Sequence, residues 1–490
     1  MNILSGEKMT ERKIIPDILK RLEELGFSRK RIVTEYEVGP GLRADVAALD
    51  GSNHALVIVE AKTRVPSPDG EKQLAEFLKI SKAKYGVLTD GTTTFYYLNR
   101  DGEIIEIPKL PRVNESLQDA RANLRTLDAP AYKFWKLANI LRSHGSTDYQ
   151  ISELTKLLLC KVVDETNGGN LFWRATLTPG ENRRAKSELA ELFESVKKHY
   201  PGLFSPYESI ELENQVLDGI VHELASYSVS SSPDAFGKGF NDFLAESTRQ
   251  LGQFTTPRNV TRFLVDMLRP RAKEFVIDPA CGTGSFLLGC LDYVHQNSAD
   301  KADEFAANRL YGMERMRDIV SIAKTNMILH GGDYSKVFCA DSLLQLPDEV
   351  HAVVKQGGFD VVLVDPPLGS QQIEAREYRL GEHAQASVLF IERALQLAKP
   401  RGRIGVIVPE NVLFAENLRH VRSFVMEKAF VRAIVSLPNG AYLPFTALRA
   451  NALILEKKEH DQDVEYDVFM AEADAIDSLS VISQRFTEEW

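Results

Sequence analysis

The sequence predicts an α/β protein whose carboxyl-terminal half is a doubly wound, mostly parallel sheet. Three observations carry that expectation. Apolar runs near 275, 310, 337, 360, 404, 432 and 451 alternate with helical patterns, as strands and crossover helices do in such a sheet. The first run, Glu274 to Ile277, leads into an acidic residue and a glycine-bearing turn, Ile277-Asp-Pro-Ala-Cys-Gly-Thr-Gly-Ser-Phe286, and then an apolar helix at Phe286–Cys290. The fourth, Phe359–Val364, ends in Asp365-Pro366-Pro367-Leu368. Gly282 and Gly284 lack a Cβ and can take positive φ, so a bulky ligand can approach the backbone. Turns at the carboxyl ends of parallel strands are where open α/β sheets bind ligands. Two prolines after an acidic side chain fix carbonyls and a carboxylate at a sheet edge, geometry suited to accepting hydrogen bonds from an amino group.

The preceding parts read differently. A charged amphipathic helix (Ile14–Leu25) leads to strands at Ile32–Val38, Arg43–Leu49 and Ala55–Ala61. A helix near Glu71–Ile80 and strands at Tyr85–Thr89 and Thr94–Leu98 follow. Asp50-Gly51, Asp90-Gly91 and Asp101-Gly102 are turn signals between them. These make an α+β part, residues 1–110, closed by a linker marked by Pro108 and Pro111. Residues 111–250 lack strand signals and show helical spacing in Leu154–Val163 and Ile210–Tyr227, with a polar break at Ser228–Pro233. Residues 251–458 form the sheet part, which continues through a helix at Ser387–Leu395 and strands at Arg403–Val408 and Val431–Leu437. Residues 459–490 are expected to be a tail, acidic at Glu459–Glu465.

Composition bounds the function. A chain of 490 residues predicts two to four domains. Its 44% hydrophobic and 26% charged content is that of a soluble globular protein. No stretch approaches the roughly 18 apolar residues of a membrane helix, and the start has no apolar core of a signal peptide. The four cysteines, Cys160, Cys281, Cys290 and Cys339, are scattered, which argues against a zinc ribbon or disulfide framework and fits a reducing cytoplasm. A net charge of −10 gives no global attraction to nucleic acid, but a local basic groove or a basic partner can supply phosphate contacts. Arg183-Arg-Ala-Lys186 and Lys197-Lys-His199 are either such contacts or solvated helix faces. No Gly-x-x-x-x-Gly-Lys loop exists, so DNA translocation by this chain is not expected.

The two motifs, in this order, point to transfer of a methyl group to an exocyclic amine. From Leu251 to about Leu455 the chain resembles the N6-adenine DNA methyltransferases of the type I modification-subunit kind. Gly252-Gln-Phe-Thr-Thr-Pro257 looks like the family's motif ahead of the sheet, Asp278-Pro-Ala-Cys-Gly-Thr-Gly-Ser-Phe286 like its glycine-rich cofactor loop, and Asp365-Pro366-Pro367-Leu368 like its catalytic motif. The resemblance implies a Rossmann-like sheet dependent on S-adenosylmethionine. Phe254, Thr255, Thr256 and Pro257 would wrap the methionine end, and Asp278, Ala280, Gly282 and Gly284 would line the cofactor loop. Glu314 in Tyr311-Gly-Met-Glu314 would accept from the ribose hydroxyls, and Asp341 in Ala340-Asp341-Ser342 would meet the adenine amine. The family's catalytic motif ends in an aromatic residue, where this chain has Leu368. An aromatic ring recovers about 1–3 kcal/mol by stacking on a flipped base. The leucine lowers activity, passes the stacking role to a neighbour such as Tyr378, or marks a domain that senses cofactor without methylating. Each residue also has a plainer reading: a tight turn or an NAD loop for the glycines, and helix caps for Thr255, Thr256, Glu314 and Asp341. A dinucleotide fingerprint, however, wants a third glycine that is absent here.

A second constellation lies at 35–73. Asp45 stands in Arg43-Ala-Asp-Val46, and Val57-Ile-Val-Glu-Ala-Lys62 follows. An Asp and a Glu on neighbouring strands can hold Mg²⁺. A lysine two residues beyond the Glu can position an attacking water, as metal-assisted phosphodiester hydrolysis requires. About Ile14 to Leu98 resembles the PD-(D/E)xK nuclease domain at the amino end of type I restriction subunits, a restriction-endonuclease-like fold. The resemblance implies catalytic Asp45, Glu60, Lys62 and Gln73, and metal ligands Glu35, Asp45 and Glu60. A surface Glu/Lys pair is otherwise a solvated face. The whole then reads as a restriction–modification protein of antiviral defence: an adenine-specific DNA methyltransferase with an endonuclease domain. Its expected partners are double-stranded DNA, a separate DNA-specificity subunit and, optionally, a second copy of the chain, with no membrane. The rival reading is a cofactor- or methylation-sensing protein that controls the nuclease.

Overall fold

In the computed structural model the described residues are 13–100, 102–107, 109–113, 130–142, 145–169, 171–172, 182–229, 235–237, 239–241, 243–244, 256–367, 372–373, 377–381, 384–439, 441–442, 449–460 and 464–489. The chain forms two compact units, Met1–Phe243 and Leu244–Trp490.

The first unit opens with helix α1 (Ile15–Glu24) and builds one six-stranded sheet from β1 (Ile32–Gly39), β2 (Leu42–Leu49), β3 (Ala55–Ala61), β4 (Tyr85–Thr89), β5 (Thr94–Arg100) and β6 (Glu103–Ile107), in that spatial order. All neighbours are antiparallel except β3 and β4. That parallel pair needs a crossover, supplied by α2 (Pro68–Ser81), whose start is set by Pro68 and by the Ser67 side chain accepting from the Gly70 amide at 3.1 Å. Strand β6 lies beyond the strands the sequence pattern picked out. Among the described residues the helices α3 (Pro130–Leu141), α4 (Thr147–Thr166), α5 (Asn182–His199) and α6 (Asn214–Ala225) follow. They share one compact unit with the six-stranded sheet. Ser226 Oγ donates to the Glu106 carbonyl at 2.7 Å, and the buried Lys133 ammonium reaches Glu106 at 2.7 Å and Glu223 at 2.6 Å. A lysine enclosed in this way ties α3 and α6 to β6, because either side alone would leave a buried charge.

The second unit is an eight-stranded sheet flanked by helices. In chain order it runs α7 (Arg258–Leu268), β7 (Val276–Asp278), α8 (Ser285–Ser298), α9 (Ala302–Asn308), β8 (Leu310–Glu314), α10 (Arg317–Leu329), β9 (Val337–Cys339), α11 (Asp348–Lys355) and β10 (Phe359–Val364). A small ribbon, β11 (Gln372–Ile373) and β12 (Ala384–Gln385), precedes α12 (Ala386–Leu397), β13 (Ala398–Pro409), α13 (Arg419–Lys428), β14 (Ala429–Ser436), β15 (Ala450–Lys457), β16 (Phe469–Glu472) and α14 (Ser478–Glu489). The spatial order is β16-β14-β15-β13-β10-β7-β8-β9, with β15 antiparallel to both neighbours. Alternate residues serve opposite faces: Val276, Val361 and Leu363 join one core with Phe263, Phe286 and Phe305, while Ile277, Val362 and Val364 join another with Leu389, Ile391 and Phe424. This two-sided burial explains the continuous apolar runs.

The expected tail is part of this sheet. Phe469 opens β16, and Leu479, Ile482 and Phe486 are buried in the first core, with the Phe469 and Phe486 rings edge to face at 5.5 Å. A four-residue strand behind an acidic run gives little sequence signal. No helix among the described residues is long and apolar enough to cross a membrane.

Candidate functional site

The chain runs from β7 outward through β8 to β9, then returns to place β10 on the other side of β7. The sheet therefore has its topological switch between β7 and β10, where the carboxyl ends of the strands open a crevice. Both sequence motifs end there. Asp278 closes β7, and its Oδ1 accepts from the Ala280 amide at 3.0 Å. The turn is pinned by Cys281 N–H donating to the Met313 carbonyl (2.9 Å) and Gly284 N–H to the Cys281 carbonyl (2.8 Å). Gly282 and Gly284 adopt φ of 51° and 90°, a region that disfavours side chains. The space beside Gly282 is open, and Gly284 caps α8. Thr283 Oγ1 is buried with no hydrogen-bond partner among the described residues.

Glu314 ends β8 and Asp341 lies two residues past β9. Each spends one oxygen on a local amide, Met316 at 2.8 Å and Leu343 at 3.0 Å, and no bond to the other oxygen is made among the described residues. Ser342 Oγ donates to the Pro279 carbonyl at 2.6 Å, joining the Asp341 turn to the glycine turn. Burial pushes Asp278 well above the usual carboxylate range, and the charges of Asp365 and Glu314 push it further. A crevice with this many carboxylates favours a ligand carrying positive charge and hydroxyl or amine donors. S-adenosylmethionine, with its sulfonium, ammonium, ribose hydroxyls and adenine amine, fits that donor set.

Asp365 follows β10 directly. Burial raises its carboxyl to about 6, and the hydroxyls of Tyr442 and Thr256, which favour the ionised form, hold it from rising further. Tyr442 donates to Oδ2 at 2.8 Å. The Pro257 carbonyl begins α7 by accepting from the Thr261 amide at 2.9 Å. Pro366 is buried and Pro367 exposed. Phe254, Thr255 and Leu368 lie outside the described residues. Tyr378 does not supply a replacement for the missing aromatic. It is buried in the second core, donates to the Leu343 carbonyl at 2.8 Å and lies 5.0 Å under the Arg393 guanidinium. Tyr442 had no sequence signal of its own, since it reaches Asp365 only through the packing of the turn after β14.

The profile of the N-6 DNA Methylase family matches residues 232–489, over half the chain. The chain belongs to that family. Among curated relatives, the type I restriction enzyme EcoEI methylase subunit of Escherichia coli is 29% identical over 259 residues, 51% of this chain and 52% of that protein. The type II restriction enzyme and methyltransferase RM.BcgI of Heyndrickxia coagulans is 28% identical over 219 residues, 44% of this chain and 32% of that one. The chain thus spans about half or less of these relatives' lengths. Two solved structures share the fold. A chain from a type I restriction–modification complex has TM-score 0.53 at 23% identity, over 68% of this chain and 75% of the other. A type I methyltransferase subunit from Streptococcus thermophilus has TM-score 0.51 at 18% identity, over 75% and 94%.

The family match leaves out nearly all of the first unit, where the other expected residues meet. The register Val46↔Val59 and Ala47↔Ile58 sets Asp45 opposite Glu60, so both side chains share a face. Asp45 Oδ2 accepts from the Ala61 amide at 2.7 Å. The Lys62 ammonium donates to Glu60 Oε1 at 2.7 Å and to Gln73 Oε1 at 2.9 Å. Asp45, Glu60, Lys62 and Gln73 therefore come together, Gln73 from α2. Glu35 does not join them as a third carboxylate. It sits at φ 51° in β1 and pairs with Arg43 at 3.8 Å, both side chains more than half exposed. Among the described residues no group of three or more His, Cys, Asp or Glu is arranged to hold a metal. Two carboxylates on one face still fit Mg²⁺, which binds through one or two carboxylates and completes its shell with water and phosphate oxygens. Of the basic residues of α5, Lys186 donates to the Leu212 carbonyl at 3.1 Å, and Lys197 pairs with Glu194 at 2.7 Å and donates to the Pro206 carbonyl, while Lys198 and His199 are exposed.

Proposed function

We propose that this chain is the modification component of a restriction–modification system, methylating adenine N6 in DNA with S-adenosylmethionine under the guidance of a separate specificity subunit. The observation that carries this is the meeting of the Asp278–Gly284 turn and Asp365 at one switch point, within the segment that matches the methylase family. Bound S-adenosylmethionine supplies the electrophilic methyl group. Gly282 and Gly284 let it approach the main chain, and Glu314 and Asp341 accept from its ribose and adenine donors. Asp365 and the Pro366 carbonyl accept the two hydrogens of the target amine, which aims the nitrogen lone pair and turns an encounter into an oriented reaction. The target base must leave the duplex, at a cost of a few kcal/mol.

Glu60, Lys62, Asp45 and Gln73 support a second activity, metal-dependent cleavage of DNA. Asp45 and Glu60 would hold Mg²⁺, which supplies Lewis acidity at the scissile phosphate. Lys62, fixed by Glu60 and Gln73, would orient the attacking water. The test of the main reading is transfer of tritiated methyl groups to unmethylated genomic DNA, with and without candidate specificity subunits. Incorporation at adenine that vanishes in Asp365→Ala, with cofactor binding retained, is expected. Cofactor binding without incorporation under any of these conditions would instead support a sensor.

A further inference from the structure

The sheet alone does not hold Asp365. Tyr442, only 2% exposed, comes 77 residues later in the chain and brings its hydroxyl to Oδ2 at 2.8 Å. Its ring is packed in the first core with Leu437, Ala441 and Ala450, so the hydroxyl is delivered from a fixed platform. The hydroxyl of Thr256, ahead of α7, also favours the ionised form of this carboxylate. We infer that Tyr442 is a positioning residue for methyl transfer: it fixes the rotamer of Asp365 and occupies Oδ2, leaving Oδ1 to receive the target amine. This rests on the adenine-methylation reading above.

The chemistry gives the contact a purpose. A carboxylate with both oxygens open can receive an amine in several poses. With Oδ2 taken, one N–H is directed to Oδ1 and the other to the Pro366 carbonyl, so the lone pair has one direction. The phenol also favours the ionised carboxylate that must accept. Opposing it is burial, which raises the carboxyl.

Tyr442→Phe keeps the ring and removes only the hydroxyl. Methyl transfer to DNA measured against pH should show the acid limb moving up by about one pH unit, with S-adenosylmethionine affinity unchanged. An equal loss at every pH with an unmoved limb, or a profile identical to wild type, overturns the inference while leaving the methylation reading intact. A wild-type protein that transfers no methyl overturns both. The contact itself has an independent readout in urea midpoints against pH. Asp365, raised in the folded state, contributes stability that is full below its unfolded pKa and is lost as pH rises through about 6. In Tyr442→Phe that loss should continue to higher pH, and the difference should disappear in an Asp365→Asn background. Superimposable profiles would show that the hydroxyl does not act on Asp365.

Discussion

Lys133→Met tests the packing of the amino-terminal unit through one buried charge. The ammonium bonds Glu106 and Glu223 and lies 4.6 Å from the Tyr227 ring. Tyr227 also donates to Glu106, and Lys136 pairs with Glu71 at 2.7 Å and approaches Glu223 at 3.9 Å. Methionine keeps the stem and removes the charge, so the buried Glu106 and the partly buried Glu223 lose a counter-ion. Breaking a buried pair costs about 3–5 kcal/mol. Lys136 and the Tyr227 hydroxyl remain to offset part of this, which puts the loss at about 3 kcal/mol. At a urea slope of roughly 1–3 kcal/mol per M, the midpoint should fall by about 1 M or more. Burial raises Glu223, but Lys133 and Lys136 outweigh it and hold the carboxyl below its ordinary value. Its contribution is therefore present above the ordinary carboxylate range and lost as pH falls. Without Lys133 the folded carboxyl titrates higher, so the gap between variant and wild type should shrink from about pH 8 to about pH 5. Adding Glu106→Gln should restore part of the stability. A gap under about 1 kcal/mol, or one that widens toward acid, would refute the reasoning.

Three further expectations concern the sites and the carboxyl end. Glu314→Ala removes an acceptor for the ribose hydroxyls and should weaken S-adenosylmethionine binding by about 1–3 kcal/mol in isothermal titration; an unchanged affinity would reject that role. Phe486→Ala opens the first core beside Phe469 and should cost about 3–5 kcal/mol, read as a lower melting temperature. An unshifted transition would mean that α14 does not dock. Asp45→Ala should abolish Mg²⁺-dependent nicking of DNA while methyl transfer continues, and cleavage at the wild-type rate would end the nuclease proposal.

Much of this was legible in the sequence because the signals are local or periodic. The runs at Val276–Asp278 and Phe359–Val364 are apolar on both faces, which marks buried parallel strands. The glycines at 282 and 284 stand where the backbone turns to positive φ. Asp45 and Glu60 meet because both strands are regular and the register between them is antiparallel. What escaped depended on distance along the chain. Tyr442 reaches Asp365 across 77 residues, and no spacing rule connects them. Glu35 looked like a third ligand by order alone, but its left-handed backbone accompanies a pairing with Arg43. Proline punctuates the chain near 110, and the buried lysine of α3 that pairs with Glu106 reads in the sequence as an ordinary surface residue. The end of the chain looked like a tail because four strand residues carry too little pattern to stand out from their acidic surroundings.

The position of β15 has a consequence for how the protein is made. This strand lies between β13 and β14 and runs against both, yet it is translated after either of them. A ribosome that has released β13 and β14 has released two apolar strands whose shared neighbour does not yet exist. Each presents an unpaired row of amides and carbonyls, the kind of edge that templates aggregation. Nascent chains that stop before Lys457 should therefore be poor folders and avid clients for chaperones. Completion of the sheet waits on a late insertion, and the speed of synthesis across residues 410–457 sets how long that edge stays open.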